Sequence, residues 1–364
     1  MNGERLPLDW AGKLRLSSAR QNAYTLLDVA ALVSTTPLDL SNHLLAPDFI
    51  ALSFYKIFGF PDLGALIVRK AASHVFDQRR YFGGGTTEMT TCIGDVWVAR
   101  KDTSLHARLE DGTVAFRNIL ALKCAISNHH RLFGGLQEVS KHTSWLALAL
   151  YERLASSKHS NGVPTYHVYK SAESTYDDPR TQGATIAFNI CKSNGSYVGP
   201  WHVGVSLRND TIHVRTGTLC NPAGISCALG LDAEWLRKAF ERGYRCNTEL
   251  DIVEGVPVGV VRVTFGAMNT LGDVEAFAAS LSRFSLEQSE GISAMKTGFI
   301  GKTDSVMEAR QHAVVAGVLH ARQEAVHFGN ERPASHSITA AWCCRSGFRG
   351  LFGLCVGARR LNEK

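Results

Sequence analysis

The chain has no apolar run approaching the ~18 residues that a membrane-spanning helix needs. Its first residues, MNGERLPLDW, lack the basic and apolar regions of a secretory signal. There is no long basic run and no interleaving of aromatic with basic positions, the pattern that marks nucleic-acid binding. Charge is close to balanced, 39 basic against 33 acidic residues for a net +6, which implies only a mild affinity for anions. The nine cysteines form an odd set without a regular framework, which fits reduced thiols better than disulfides. No internal repeat is visible. These absences lead to the expectation of a cytoplasmic, globular protein with no membrane and no nucleic-acid partner. What is present is 364 residues, 45% hydrophobic and 20% charged, enough to bury a large core in about two domains.

The order of apolar runs predicts an α/β chain. YTLLDVAALVST reads as a buried strand ending at Asp28, and further strands are expected at about 49–53 and 63–69. Lys56 falls on the connection between the last two. After the glycine loop YFGGGTTE and a polar stretch to LEDGTVAF, long helices are predicted at about 114–130 and 135–154. Beyond them, strands (PTYHVYK, GATIAFNI, TIHVRTG, GVVRVTFG) alternate with helices (DAEWLRKAFERG, LGDVEAFAASLSRF), as in an α+β or α/β lobe.

Several residues in this pattern can carry chemistry, each with a plainer reading beside it. Lys56, set among apolar and aromatic residues in SFYKIFGF, is placed as a desolvated, nucleophilic amine of the kind that forms Schiff bases, or as a structural lysine whose stem packs on Phe54 or Phe58. Asp28 at a strand end suits a cationic ring nitrogen, or a cap on the following turn. Free backbone N–H groups of the Gly83–Gly84–Gly85–Thr86 loop suit a phosphate, though a triple glycine also serves as a flexible turn. In VRTGTLCNPAG, Arg215 lies five residues before Cys220 on what reads as a mobile loop, a thiolate nucleophile or an inert small side chain. Arg262, in an otherwise apolar strand, needs a carboxylate from the fold or from a substrate.

Taken together, LLDVAALVSTTPLDLS, SFYKIFGFPDLGALIVRK, YFGGGT, LEDGT, VRTGTLCNPAG and VRVTFGAMNTLGDVEAF resemble the aminotransferase-like lobe of eukaryotic molybdenum cofactor sulfurases, relatives of the cysteine desulfurases, over about Asn2 to Phe284. The resemblance implies fold type I of the pyridoxal-phosphate-dependent enzymes. Residues 1–115 would be the C-terminal part of the cofactor-binding large domain, 116–289 a connecting helix and small domain carrying the nucleophile loop, and 290–364 a divergent tail without family counterpart. It assigns Lys56 as the cofactor-bearing lysine, Asp28 as the partner of the pyridinium nitrogen, and Ser53 and Tyr55 as phosphate contacts. Gly85 and Thr86 would reach the phosphate of a neighbouring subunit in a homodimer. Cys220 would accept sulfur from L-cysteine as a persulfide, Arg262 would hold the substrate carboxylate, and Arg215 would stand beside the nucleophile. Thr218, often a second cysteine in the family, leaves Cys220 as the functional thiol. The sulfur would pass to the molybdenum cofactor, or its carrier, used by xanthine dehydrogenase and aldehyde oxidase.

Two departures from the family pattern accompany the resemblance. Counterparts of the upstream phosphate contacts and ring-stacking aromatic are not in this sequence, so the 364 residues alone are expected to bind pyridoxal phosphate weakly or not at all, and an upstream-extended chain tightly. The segment GPWHVGVSLRNDTIHVRTG also departs from the family's helix-like wording. In the tail, Ser305 and Glu308 have the spacing of a capping box, and Cys343, Cys344, Cys355 and His336 match no zinc spacing, so no metal is expected. Two alternatives to the sulfurase remain: another pyridoxal-phosphate lyase or aminotransferase that does not use Cys220, and a catalytically inactive product.

Overall fold

The computed structural model describes residues 2–5, 8–17, 23–246 and 248–286. The tail at 290–364, with the Ser305–Glu308 spacing and the cysteines noted above, lies outside the described residues. After a short helix α1 (Trp10–Leu16), strands β1 (Leu26–Asp28), β2 (Phe49–Ser53) and β3 (Gly64–Val68) form a sheet in that order, with the one-turn helix α2 (Tyr55–Phe58) between β2 and β3. A two-stranded hairpin, β4 (Thr87–Thr91) and β5 (Trp97–Arg100), then leads through α3 (Leu105–Leu109) to the long helices α4 (Phe116–Phe133) and α5 (Leu136–Ser156).

The rest is an antiparallel four-stranded sheet in the order β6-β7-β11-β8, made of β6 (Tyr166–Tyr169), β7 (Thr185–Ile190), β8 (Arg215–Gly217) and β11 (Val260–Thr264). Helix α6 (Pro200–Asn209) precedes β8, and helices α7 (Pro222–Leu229) and α8 (Ala233–Glu241) follow it. A small ladder, β9 (Ile252–Val253) with β10 (Val256–Pro257), precedes β11, and α9 (Leu271–Leu286) closes the described chain. Helix α6 occupies the segment whose wording departs from the family, so the local fold there is helical after all.

The core sits where the sequence period puts it. Along α5 the buried residues Leu136, Val139, Thr143, Leu146, Ala147, Leu150 and Leu154 recur every three or four positions, one face of a 3.6-residue helix. At its N-terminal end Leu136 packs into the cluster beneath β1–β3 with Val29, Val33, Ile50 and Leu52, while Leu146, Leu150 and Leu154 join the cluster of Ile186, Phe188, Val261 and Phe277. One helix thus seats both sheets. Strand β7 is buried almost throughout because it is central: Ile186, Phe188 and Ile190 face the α5 and α9 side, and Ala187 faces the opposite side with Tyr169, Val260 and Leu219.

Six cysteines fall among the described residues, Cys92, Cys124, Cys191, Cys220, Cys227 and Cys246, and all are free thiols. No described helix is long and apolar enough to cross a membrane.

Candidate active site

The first part of the site is built by the parallel pairing of β1 with β2. Asp28 is opposite Ala51, so both strands deliver their C-terminal ends to the same edge of the sheet, one with Asp28 and the other with Ser53 and then α2. This register is fixed by a buried residue that the sequence reading passed over. Asp48, at the entry to β2, accepts from the backbone N–H and the hydroxyl of Thr25 at 2.9 Å each, and from Arg15 at 3.1 Å. Its own N–H donates to the Thr25 carbonyl at 3.1 Å. The Asp48 carboxyl is held below the usual carboxylate range; burial alone would raise it, but the Thr25 hydrogen bonds and the Arg15 guanidinium outweigh that.

Lys56 lies on α2 rather than on an extended loop, and it is exposed, which corrects the reading of a desolvated ammonium. The apolar residues around it in sequence turn the other way. Phe54 and Ile57 are buried, Phe54 stacks on Phe58, and the Phe58 ring meets His129 edge-on. That packing fixes the helical turn and leaves the Lys56 ammonium pointing outward without a hydrogen bond or ion pair to a described residue. Asp28 is exposed too; one carboxylate oxygen accepts the Ala30 N–H at 2.9 Å, the capping role weighed against the cofactor role, and the other oxygen has no described partner. Tyr55 is exposed and Ser53 half-buried beside them.

The glycine loop has a different logic from the free phosphate cradle expected. The Gly83 N–H donates to the Asp111 carboxylate at 2.6 Å and the Gly85 N–H to the Asp111 carbonyl at 2.9 Å. A Cβ added at Gly85 would lie 2.6 Å from the Glu110 carbonyl oxygen, so the missing side chain lets the LEDGT segment pass. The buried Thr86 hydroxyl donates to the Gly83 carbonyl at 2.8 Å. The N–H groups of Gly83 and Gly85 are therefore spent within the fold.

The second part of the site is formed by β8, β11 and the turn after β8. Arg262 lies directly opposite Arg215 in the antiparallel pair, and both share the sheet face that carries Ala187 and Val260. Like charges opposed across strands repel. The Arg262 guanidinium is held below its usual range by burial first and by Arg215 second, with Cys220 acting in the opposite direction. Neither arginine makes an ion pair with a described carboxylate. Instead, Arg215 Nη2 donates to Cys220 Sγ at 2.8 Å.

Cys220 sits in a turn whose residues on either side are anchored in the fold. Leu219 and Cys220 both have left-handed backbone, φ +57° and +56°, which is uncommon for side chains of these kinds. Leu219 is buried among Tyr169, Ala187, Ile225 and Val260. The Asn221 side chain caps α7 by accepting from the Gly224 N–H at 3.0 Å. Fully buried Asn189 braces the strands by donating to the Tyr169 hydroxyl at 3.1 Å and the Gly259 carbonyl at 3.0 Å, and its lone amide within the apolar run GATIAFNI is a signal the sequence offered. Cys220 itself is exposed.

Two groupings result: an exposed lysine and a half-partnered carboxylate at the ends of adjacent parallel strands, and an exposed thiol beside two arginines without a described ion pair on a second sheet. The family profile described as "Aminotransferase class-V" matches residues 13–277, and the chain belongs to that family. Its fold is fold type I of the pyridoxal-phosphate-dependent enzymes: it superposes with a TM-score of 0.55 on a cysteine desulfurase from Thermococcus onnurineus, at 20% identity, covering 78% of this chain and 57% of that one.

Among curated relatives, the chain is 48% identical over 297 residues to a molybdenum cofactor sulfurase from Aspergillus niger, covering 81% of this chain and 36% of that protein. A molybdenum cofactor sulfurase from Neosartorya fischeri is 49% identical over 290 residues, covering 79% and 34%. The chain spans about a third of the length of the curated relatives it matches.

The residues present fit pyridoxal phosphate at its ring and aldehyde ends. Lys56 offers an amine with no competing partner, and Asp28 an oxygen with none. The fit at the phosphate is partial, because Thr86 and the Gly83 and Gly85 N–H groups have partners of their own.

Proposed function

We propose that this chain is the sulfur-mobilising part of a molybdenum cofactor sulfurase, a pyridoxal-phosphate-dependent cysteine desulfurase that moves sulfur from L-cysteine to Cys220. The observation that carries this reading is the cationic pair Arg215 and Arg262 set against Cys220, with the Arg215 hydrogen bond to Sγ at 2.8 Å. Two guanidinium groups that share a sheet face and have no described carboxylate suit a substrate bringing its own. A sulfur nucleophile beside them suits a substrate whose reacting atom is sulfur.

The bound cofactor would supply an electron sink that makes the substrate sulfur electrophilic. Lys56 anchors the cofactor and its amine moves a proton at the substrate Cα. Asp28 would keep the ring nitrogen protonated through its second oxygen, and Ser53 and Tyr55 would contact the phosphate. Arg262 orients the substrate by its carboxylate, and a bidentate fork defines that orientation better than a point charge. The Cys220 thiolate forms the new S–S bond, the substrate C–S bond breaks with its electron pair left on carbon, and a proton completes the methyl group of alanine.

Homodimerisation, with Gly85 reaching the neighbouring phosphate once freed from Asp111 and Thr86 once freed from the Gly83 carbonyl, belongs to this reading. So do a cytoplasmic location and delivery of the sulfur to the molybdenum cofactor or its carrier, for xanthine dehydrogenase and aldehyde oxidase. The test uses L-cysteine labelled in sulfur, at saturating pyridoxal phosphate, followed by mass spectrometry of the Cys220 peptide. Labelled persulfide on Cys220, formed together with alanine and lost in Cys220→Ala, is the expected result. Turnover of cysteine that survives Cys220→Ala would assign the chain to lyases that do not use this thiol.

A further inference from the structure

The turn after β8 holds two adjacent residues in a backbone conformation that neither favours. Among the described residues four non-glycine positions have left-handed backbone, and Leu219 and Cys220 are the two that adjoin. The Asn221 N–H closes the turn on the Thr218 carbonyl at 3.0 Å, and central positions of this kind ordinarily go to Gly, Asn or Asp. Such a conformation persists only where the surroundings over-determine it. Leu219 is the one buried side chain between Arg215 and Asn221, 7% exposed, in a socket of Tyr169, Ala187, Ile225 and Val260. Two walls of that socket are held by one residue. The Asn189 amide donates to the Tyr169 hydroxyl at 3.1 Å on one side, and on the other to the carbonyl of Gly259, next to Val260, at 3.0 Å. Gly259 in turn packs so closely on Gly217 that an added Cβ would lie 2.5 Å from the Gly217 Cα, which seats the N-terminal end of the turn.

We propose that Leu219 is a positioning residue: its side chain, seated in the socket that Asn189 braces, holds the left-handed turn and so keeps the Cys220 thiol on the Arg215 guanidinium. Glycine would fit these backbone angles without strain, but it takes many others as readily. A leucine in the socket narrows the turn to the conformation that fills it. The thiol then sits 2.8 Å from its donor before any substrate arrives. What this serves, the presentation of Cys220 to the sulfur of a bound substrate, rests on the desulfurase reading; the hold of Leu219 on the turn does not.

The experiment is a double-mutant cycle on the 364-residue chain without cofactor or cysteine, read as the rate at which iodoacetamide alkylates the Cys220 peptide. Leu219→Ala should slow alkylation several-fold, to the rate of Arg215→Ala, and the double variant should be no slower than Arg215→Ala alone. Loosening of the turn without loss of the Arg215 contact would leave an exposed thiol that reacts as fast or faster, so a purely structural role predicts the opposite sign. Leu219→Met, which refills the socket with a side chain of similar volume, should keep the parent rate. Leu219→Gly takes the left-handed backbone freely but leaves the socket empty. It should slow alkylation as alanine does, and it carries the comparison should circular dichroism show that the alanine variant does not fold. A rate equal to or above the parent's in these variants, or a slowing that adds in full to that of Arg215→Ala, overturns the proposal. Because the cycle uses neither pyridoxal phosphate nor cysteine, it is decided even where the parent forms no persulfide, the result that would overturn the desulfurase reading instead.

Discussion

Arg215 Nη2 donates a hydrogen bond to Cys220 Sγ at 2.8 Å across the turn that follows β8. The contact is made by the left-handed backbone of Leu219 and Cys220, which turns the thiol back toward the strand it has just left. A guanidinium at this distance stabilises negative charge on sulfur, and the thiolate is the form that reacts. Arg215→Ala should therefore slow alkylation of Cys220 by iodoacetamide several-fold in the chain without cofactor or substrate, through loss of the donor at Sγ. An unchanged alkylation rate would mean that the contact is incidental to reactivity.

Arg262 yields a prediction that separates binding from folding. Arg262→Lys keeps the charge and removes the fork, so the cysteine concentration for half-saturation should rise by about tenfold to a hundredfold, as expected for loss of one or two charge-assisted hydrogen bonds. Absorbance of bound pyridoxal phosphate should persist. Since Arg262 makes no described ion pair, the thermal midpoint should change little; a large drop would show a structural role instead.

Asp48 controls the register on which Asp28 and Lys56 depend. A carboxylate whose folded-state pKa is depressed contributes stability above the unfolded value of ~4 and loses it as the pH falls through the lower folded value. Asp48→Asn should lower stability at pH 7 by about 2 kcal/mol, because the Thr25 donors and Arg15 lose a charged acceptor. It should also flatten the loss of stability in acid, below ~pH 4. Urea melts at neutral and acid pH measure both effects, and an acid dependence identical to that of the parent would remove Asp48 from the account.

Gly84 and Gly85 should respond differently to the same change. A Cβ at Gly84 meets nothing within 4 Å, whereas one at Gly85 lies 2.6 Å from the Glu110 carbonyl oxygen and 2.9 Å from the Asp111 carbonyl carbon. Gly85→Ala should cost about 1–3 kcal/mol, the range for overpacking against backbone, while Gly84→Ala stays near neutral. Equal tolerance in thermal melts would show that the LEDGT segment moves aside at little cost.

How much of this could be read from the sequence depended on the range of the forces involved. Strand β2 falls at the residues its apolar run predicts, and α4 and α5 lie within a few residues of their periodic segments, because burial pattern is local information. The hairpin β4–β5 was hidden: TEMTT is polar and its central residues are exposed, so no apolar alternation marks it. The exposure of Lys56 was also hidden, since Phe54, Ile57 and Phe58 flank it in sequence and a single helical turn sends them to the opposite side. The use of the glycine loop by Asp111 joins residues 28 apart, and Asp48 reaches back 23 residues to Thr25. Such pairings follow from topology, and no spacing rule announces them.

The claim that most of this rests on is that Lys56 carries the cofactor with Asp28 as its ring partner. The direct measurement is borohydride reduction of the chain at saturating pyridoxal phosphate, followed by peptide mapping of the pyridoxyl label in the parent and in Asp28→Asn. The account predicts label concentrated on Lys56 and much reduced when Asp28 is replaced. Label on Lys70 or Lys123 in preference to Lys56, or on Lys56 to the same extent in both proteins, would contradict it.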